Sequence, residues 1–415
     1  MPRLLLTFSL LYLRFAHIPS AFNSESRSPA IADAFVERFV VEPEADGLLR
    51  GTSFAVKDLF DVAGWPTGCG NPTWRATHAA AKTNAAVVQL LLRAGARLVG
   101  KTRTDELAYA LDGRNFHEGA PINAAAPERL TGGSSSGAAS AVAARDIDFG
   151  VASDTAGSVR VPAAWCGLIG MRPTHGRVPV AGLAPLAPSF DTVGWLARSA
   201  SLMRDVGTVL FSDAAMSRSA FSLVRDPAVE DYADAAMSVA LERAFARCTA
   251  LGFAVDELSL GIDLKGAAEC LRVLQGKEVW STHGRWIDSV RPSFGPGIAE
   301  RFEAARAITA DQVREAASAR TAITTRMDTA LPAGRILCLP TVPGPAPRRD
   351  ASTETLQLQR SRLLPLTALA SLTGRPQITL PLLAADGAPA GFSLLGWPNG
   401  DEALLELAEL LLPAC

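Results

Sequence analysis

The sequence predicts an α/β fold, and two observations indicate it. Residues 52–60 (TSFAVKDLF) alternate loosely between apolar and polar side chains, and a helical stretch capped by Asn84 separates them from a second strand-like segment, RLVGKT. A strand, a helix and a strand in this order form a parallel βαβ unit. Strand-like segments return near the C-terminus (RILCLPTV, QITLPLL and GFSLLGW) before a final amphipathic helix. We therefore expect a sheet with helices packed on it.

The composition favours one large domain. Of the 415 residues, 48% are apolar and 20% are charged, which provides a large core and argues against disorder. We expect a single domain over residues 29–415, with an insert of long helices at about 229–331. A formal charge of −2 without a dense basic run argues against nucleic acid as a partner.

Residues 1–28 are expected to be a separate N-terminal extension. They contain a basic residue, an apolar run and small residues, as a secretory signal does, but Arg14 cuts the run too short to span a bilayer. We expect a cytoplasmic protein that does not enter the membrane, with secretion as the alternative if the extension is a true signal. Residues 1–20 are expected to be dispensable for folding.

The cysteines indicate neither a metal site nor a disulfide scaffold. The six of them are scattered without CxxC spacing, and this pattern fits a reducing compartment. The sequence therefore predicts no metal and no cofactor.

Two glycine-framed serine turns within residues 131–162 carry the candidate chemistry. Gly132 and Gly133 precede three consecutive serines, and the segment DTAG precedes Ser158. Such turns leave backbone N–H groups without partners in a sheet. These groups suit acyl transfer beside a serine hydroxyl, because one donor aimed at the developing oxyanion contributes roughly 3 kcal/mol.

One motif in this region suggests a different enzyme class. Residues 133–137 satisfy GxSxG, the nucleophile elbow of α/β-hydrolases, with Ser135 as the nucleophile. The elbow requires an apolar strand directly before it, and the residues before Gly133 do not form one. None of the five histidines stands where that fold would need it. We therefore do not favour this interpretation.

The segments GGSSSG and ASDTAGSVRVPAAWCG, with Ser158 twenty-four positions after Ser134, resemble the amidase signature family, as does the segment around Lys57. The resemblance implies the fold of that family: a large mixed, mostly parallel twisted sheet flanked by helices on both faces. It also implies that Ser158 is the nucleophile, that Ser134, after a cis peptide bond, relays the proton, and that Lys57 is the base.

The chemistry of these residues is compatible with such roles. A serine hydroxyl needs a base, and a lysine becomes one when burial makes its amine neutral. The oxyanion would lie against the backbone N–H groups of Thr155, Ala156, Gly157 and Ser158. Ala156 stands where most family members have glycine, which matters if this position needs a positive φ.

The resemblance also suggests neighbours of the site. We expect supporting roles for Ser135 and for a buried pair of Asp154 and Arg160. Other residues are expected to border the site or to line a substrate pocket: Asp191, Trp195, Trp280, Trp286 and Phe294.

Within the family, the segments FAVKDLFDVAG, GNPTW, DELAYALDG and SFDTVGW most resemble the indole-3-acetamide hydrolase branch. This implies a small arylacetamide as substrate, hydrolysed to its acid and ammonia, and the protein could form a homodimer. Two alternatives remain: the amidase subunit of a glutamine-dependent transamidase, and a non-catalytic binding module with the amidase fold. The presence of Lys57, Ser134 and Ser158 together argues against the second.

Overall fold

A computed structural model describes residues 34–211 and 221–412 of the chain. The expected extension at residues 1–28 and Cys415 lie outside the described residues. Within these two ranges, no helix has both the length and the apolar character that crossing a bilayer requires.

Eleven strands of the described residues form one sheet. In chain order they are β1 (Phe35–Val41), β2 (Ser53–Lys57), β3 (Arg97–Thr102), β4 (Phe149–Asp154), β5 (Ile169–Arg172), β6 (Thr192–Ala197), β7 (Ser222–Arg225), β8 (Val255–Glu257), β9 (Arg335–Pro340), β10 (Gln377–Ala385) and β11 (Ala388–Leu395). Their order across the sheet is β1-β3-β2-β4-β6-β5-β10-β11-β9-β7-β8.

The mixed sheet is confirmed, but its share of parallel pairs is smaller than expected. β2 pairs in parallel with β3 and β4, and β7 pairs in parallel with β8 and β9. The other six neighbouring pairs of the described strands are antiparallel. The reason lies in the connections, because no crossover helix separates β5 from β6 or β10 from β11, and parallel neighbours need such a crossover.

Twelve α-helices surround the sheet in the described ranges. They are α1 (Pro72–Thr77), α2 (Ala86–Arg93), α3 (Ser136–Ala143), α4 (Arg160–Trp165), α5 (Ala200–Leu210), α6 (Pro227–Glu230), α7 (Ser238–Ala250), α8 (Leu264–Val290), α9 (Ile298–Arg306), α10 (Ala310–Ala330), α11 (Thr353–Thr373) and α12 (Asp401–Leu411). Short 3₁₀ turns occupy Glu106–Ala108 and Ala235–Met237.

Helices cover both faces of the sheet, and β2 illustrates why. Phe54 and Val56 pack in one apolar cluster with Val88 of α2, whereas Ala55 packs in another cluster with Ala138 of α3. Successive side chains of a strand point to opposite faces, so a strand that is apolar throughout needs a cover on each side.

The expected βαβ unit is present as β2, α2 and β3, with the two strands in parallel. One detail of the prediction was wrong. The helix begins after Ala85, and the Asn84 side chain accepts a hydrogen bond from the Ala63 backbone N–H at 2.8 Å instead of capping the helix.

A buried carboxylate fixes the last helix to the sheet. Asp401, the first residue of α12, accepts hydrogen bonds from the Thr174 backbone N–H at 2.8 Å and from the Thr174 hydroxyl at 2.6 Å. Arg177 Nη1 donates a third hydrogen bond at 2.9 Å. Thr174 follows β5 by two residues, so Asp401 connects α12 to the centre of the sheet.

Replacing Asp401 by alanine is expected to reduce the free energy of unfolding by about 2 to 4 kcal/mol. The substitution leaves the Thr174 N–H and the Arg177 guanidinium without their buried acceptor. Urea denaturation of the wild type, Asp401→Ala and Asp401→Asn measures the effect, and the asparagine variant should lose less because it keeps one acceptor oxygen. Equal stability of the wild type and Asp401→Ala would contradict this account of the helix.

Candidate active site

Three polar side chains from separate parts of the chain form one hydrogen-bonded row. Lys57 ends β2, and its Nζ lies 2.7 Å from Ser134 Oγ, which lies 2.9 Å from Ser158 Oγ. All three residues are buried, and the peptide bond between Gly133 and Ser134 is cis. The structure thus brings together the three residues for which the sequence predicted catalytic roles.

Burial determines the charge state of Lys57. Loss of water around the ammonium lowers the pKa of Lys57 from 10.5 to about 7, although the charges of Asp105, Asp154 and Asp191 act in the opposite direction. A second contact joins Lys57 Nζ to Ser153 Oγ at 3.1 Å. A substantial fraction of Lys57 is therefore a free amine at neutral pH, and only this form can accept a proton.

The neighbouring carboxylate of Asp58 pairs with a different lysine. Its Oδ1 lies 3.3 Å from Lys101 Nζ, and its Oδ2 accepts a hydrogen bond from the Gly68 backbone N–H at 3.0 Å. Asp58 follows Lys57 directly, and successive side chains alternate in direction along a strand. The adjacent acid therefore does not form an ion pair with Lys57.

Asp154, at the end of β4, organises the turn that carries Ser158. Its Oδ1 accepts a hydrogen bond from the Gly157 backbone N–H at 2.9 Å. Arg160 donates to the same carboxylate at 2.8 and 3.0 Å, and Arg172 donates at 3.1 Å. Burial alone would raise the pKa of Asp154, but the charges and hydrogen bonds of the two arginines hold it well below its ordinary value. The ionised carboxylate fixes the turn between β4 and α4.

The backbone N–H groups of this turn differ in availability. Because the Gly157 N–H donates to Asp154, the prediction that it is an oxyanion donor was wrong. The N–H groups of Thr155, Ala156 and Ser158 donate no hydrogen bond to an acceptor in the described part of the chain. These three groups remain the candidate donors to an oxyanion.

Ala156 does not strain the turn. Ala156 is absent from the non-glycine residues that have positive φ in the described ranges, whereas Gly157 has a φ of 125°. A Cβ at Gly157 would lie 3.0 Å from Thr367 Cγ2 and 3.1 Å from Val161 Cγ2. The turn therefore requires glycine at position 157, where φ is positive, and position 156 tolerates a methyl group.

Ser135 is the N-cap residue of α3 and not a nucleophile elbow. Its backbone N–H donates to the Ser158 carbonyl at 3.3 Å, and its hydroxyl donates to the Ser153 carbonyl at 3.4 Å. The nearest strand before it, β3, ends at Thr102, so the strand that an elbow requires is missing. The geometry argues against the α/β-hydrolase alternative.

Sequence reasoning missed three residues of the site: Ser153, Asp105 and Arg172. Ser153 is one of two polar residues at the end of β4, and Arg172 ends β5, so a polar residue near the end of a buried strand is the signal that indicates both. Asp105 lies in the loop after β3, and its side chain accepts a hydrogen bond from the Gly113 backbone N–H at 3.1 Å.

An apolar cluster that includes Ala156 adjoins the serine row. Aromatic residues within it or packed against it are Tyr109, Phe190, Phe302, Trp74, Trp286 and Phe294. Phe294 and Phe302 stack at 4.9 Å between ring centroids, and Trp74 meets Trp286 edge to face at the same distance. We call this group the aromatic cluster.

The five residues that were predicted to border the site or to line a substrate pocket have different surroundings. Trp286 and Phe294 belong to the aromatic cluster, and Asp191 accepts a hydrogen bond from the Thr155 hydroxyl at 2.6 Å. Trp195 is different, because it is buried in the main core and its indole N–H donates to the Met203 carbonyl. Trp280 packs beneath the Arg306 guanidinium. The prediction that Trp195 borders the site was therefore wrong.

A cleft of about 800 Å³ lies in the described part of the chain, and Lys57, Ser134 and Ser158 are not among the residues that line it. Ala110 and Asp112 line one wall, and Leu364 of α11 lines another. The carbonyl of the intervening residue, Leu111, accepts a hydrogen bond from the Gly133 backbone N–H at 2.9 Å. The chain segment that contains Ala110 and Asp112 is thus hydrogen-bonded, through Leu111, to the residue that precedes Ser134.

Comparisons with known proteins agree with this architecture. The amidase family model matches residues 21–238 and 224–405. Amidase 1 of Arabidopsis thaliana is 38% identical over 91% of this chain and 97% of its own length. The Pisum sativum protein named translocon at the outer membrane of chloroplasts 64 is 33% identical over 88% of this chain and 66% of its own length. A crystal structure described as an amidase superposes with a TM-score of 0.78, at 31% identity, over 88% of this chain and 85% of that one.

The mixed eleven-stranded sheet with helices on both faces is the α/β fold of the amidase enzymes. The chain belongs to the amidase family.

Two neighbouring substitutions test the geometry of the turn. Gly157→Ala is expected to slow the reaction of Ser158 with a fluorophosphonate by about 5- to 30-fold, because alanine at this φ is strained by about 1 to 2 kcal/mol. Ala156→Gly is the matched control and should keep the rate within about threefold, since position 156 does not need glycine. Rates of adduct formation measured by intact-mass spectrometry compare the two. A larger loss in Ala156→Gly than in Gly157→Ala would contradict the assignment.

Proposed function

We propose that the protein is a serine amidase that hydrolyses the C–N bond of a small carboxamide to the acid and ammonia. The observation that carries this proposal is the buried row in which Lys57 Nζ lies 2.7 Å from Ser134 Oγ and Ser134 Oγ lies 2.9 Å from Ser158 Oγ. Ser158 is the nucleophile, Ser134 the relay and Lys57 the base in this proposal.

The direction of the hydrogen bonds in the row depends on the charge of Lys57. As an ammonium, Lys57 donates to Ser134, and Ser134 donates to Ser158. As a free amine, Lys57 accepts, and both hydroxyls can reverse because each is a donor and an acceptor. The Ser158 proton then moves to Ser134 while the Ser134 proton moves to Lys57, which activates the nucleophile.

Each bond change has a residue to support it. Ser158 Oγ attacks the amide carbon, and the new negative charge on oxygen lies against the N–H groups of Thr155, Ala156 and Ser158. When the C–N bond breaks, Lys57 returns the proton through Ser134 to the leaving nitrogen, and ammonia departs. Water then attacks the acyl-enzyme ester by the same route, and the acid leaves as Ser158 is restored.

We favour a small arylacetamide, such as indole-3-acetamide, as the substrate. The apolar cluster supports this choice because it includes Ala156 of the turn together with Tyr109 and Phe302, whose ring centroids are 5.3 Å apart. Rings at such distances provide apolar and edge-to-face contacts for an aryl group. The cleft of about 800 Å³ is within the size range of sites for small organic ligands, and Ala110, Ile298 and Leu364 of the same apolar cluster line it.

Two alternatives from the same family lead to different observations. A transamidase subunit would consume glutamine and require a partner protein. A binding module without catalysis has one supporting observation, the 33% identity to the Pisum sativum protein whose name refers to a translocon. The continuous row of Lys57, Ser134 and Ser158 favours catalysis over this module, since a binding role does not require a base in contact with a serine.

An assay of ammonia release from a panel of amides tests the proposal. We expect turnover of indole-3-acetamide and phenylacetamide, with slower turnover of short aliphatic amides that leave the aromatic cluster without contacts. Ser158→Ala should reduce kcat by about 10⁴-fold or more, because the nucleophile is lost. If every amide were inert while glutamine was consumed in a mixture with a partner subunit, the transamidase alternative would replace this proposal.

A chemical control separates a wrong substrate from a wrong site. A fluorophosphonate should form one adduct that maps to Ser158 by peptide mass spectrometry. Inertness of the whole amide panel together with no adduct at Ser158 would support the binding module instead.

A further inference from the structure

A smaller cavity shares a wall with the cleft and is lined by basic side chains. It measures about 120 Å³, and three arginines line it: Arg272, Arg301 and Arg360. No acidic residue is among the described residues that line this cavity. Arg301 and Arg360 also line the cleft of about 800 Å³, so the two spaces adjoin. The proposed reaction uses none of these arginines.

Among the described residues, Arg272 is the only one of the three arginines that pairs with an acid. Its Nε donates to Glu269 Oε2 at 2.7 Å. Arg301 Nη1 donates to the Tyr109 carbonyl at 2.8 Å, and Arg360 Nη1 is buried without a hydrogen-bond partner in the described ranges. Burial and then the charge of Arg301 lower the pKa of Arg360 to about 10, so Arg360 is still a cation at neutral pH.

Two buried polar side chains also line the cavity. Tyr109 is 8% exposed, and Gln275 is 5% exposed. Neither the Tyr109 hydroxyl nor the Gln275 side-chain amide forms a hydrogen bond with another described residue. Buried polar groups in proteins are almost always hydrogen-bonded. Unpaired groups from Tyr109, Gln275 and Arg360 on one small cavity therefore indicate a binding site for a polar group.

The chemistry of the lining favours a carboxylate as this polar group. A guanidinium donates two parallel hydrogen bonds to a carboxylate, and a hydroxyl and an amide add further donors. A phosphate dianion fits less well, because the adjoining cleft also carries the acids Glu106, Asp112 and Glu300. A single negative charge beside the arginines suits this balance of charges better.

Helix α11 connects the cavity to the serine turn. Arg360, Leu364 and Thr367 lie four and three residues apart, so they share one face of the helix. Arg360 and Leu364 line the cavity, and Thr367 Cγ2 would lie 3.0 Å from a Cβ at Gly157, the residue before Ser158. Arg360 and Thr367 are about 10 Å apart along the helix axis, since each residue adds about 1.5 Å. The cavity and the turn thus lie along one face of α11.

We propose that this cavity binds a carboxylate at the end of the substrate remote from the scissile amide. The preferred substrates are then arylacetamides that carry a carboxylate on the ring, with the amide at Ser158 and the carboxylate at Arg360. This inference rests on the proposed function, because it needs Ser158 to be the nucleophile. Arg360 determines specificity in this account and takes no part in the bond changes.

A pair of matched substrates tests the inference in the wild-type protein. 4-(Carbamoylmethyl)benzoate carries the amide and the carboxylate at opposite ends of one ring, and its methyl ester has a similar shape without the charge. The KM of the benzoate should be at least about tenfold lower than that of the ester, because charge-assisted hydrogen bonds form only with the carboxylate. Equal KM values would show that the cavity holds water only, and the inference would be wrong.

Substitution of Arg360 tests the assignment to this side chain. Arg360→Gln should raise the KM of the benzoate at least about tenfold and leave the KM of phenylacetamide within about threefold. Arg306→Gln is the matched control, because it removes the same charge from an exposed position that lines neither space. An increase in Arg306→Gln as large as in Arg360→Gln would reflect the net charge of the protein and would overturn the assignment.

A more conservative variant keeps the test decisive if Arg360→Gln folds poorly. Arg360→Lys keeps the positive charge and loses the planar pair of donors, so it should raise the KM of the benzoate at least about threefold. An unchanged KM of the benzoate in Arg360→Lys would contradict a carboxylate held by the guanidinium.

Calorimetric binding to Ser158→Ala separates this inference from the proposed function. This variant should bind the benzoate at least about tenfold more tightly than the ester, and Arg360→Gln in the same background should remove the difference. Equal binding of the two compounds, together with hydrolysis of phenylacetamide by the wild type, removes only this inference. Failure of the wild type to hydrolyse any amide or to form a fluorophosphonate adduct at Ser158 removes the proposed function, whatever the calorimetry shows.

Discussion

The removal of Lys57 from water is the constraint on which the rest of the site depends. An ammonium at this position is destabilised by about 5 kcal/mol relative to a lysine in water, since burial lowers its pKa from 10.5 to about 7. The folded protein thus binds this proton less readily than the unfolded chain, and the contribution of Lys57 to stability falls as the pH decreases from the ordinary lysine range towards 7. Burial of Lys57 at the end of β2 therefore costs stability, and it leaves an amine that can accept a proton near neutral pH.

The charges around Lys57 do not cancel the lowering of its pKa by burial. Asp154 lies close enough to act on Lys57, but its carboxylate is engaged by Arg160 and Arg172. Arg160 also donates to the Thr367 carbonyl and to Gln377 Oε1, which links the serine turn to α11 and β10. The same ion pairs that fix the turn hold the Asp154 carboxylate on the two arginines, and among the described residues no hydrogen bond joins it to Lys57.

Local patterns predicted the elements well, because they depend on neighbours in sequence. The alternation in TSFAVKDLF and the segment RLVGKT correctly indicated two parallel strands, and the serine turns lie where glycine and serine clusters placed them. The share of parallel pairs was overestimated, because it depends on connections far from those segments.

Contacts between distant residues account for most of the other errors. No local pattern indicates that Asp105 lies against Gly133 or that Arg172 reaches Asp154, because these contacts arise from the order of strands across the sheet. The availability of the Gly157 N–H depends in the same way on a side chain. Three residues separate Asp154 from Gly157, but only the folded turn shows that the carboxylate occupies this donor.

A direct titration of the Lys57 amine tests the central claim. The chain has five lysines, so a protein labelled with ¹³C at the lysine Cε gives few signals, and Lys57→Arg assigns the one of interest. We expect one signal that is absent from Lys57→Arg and changes its shift with a midpoint near pH 7, well below the usual midpoint near 10.4. A Lys57 signal that titrates near 10 would show that the ammonium persists at neutral pH, and the account of a base created by burial would be wrong.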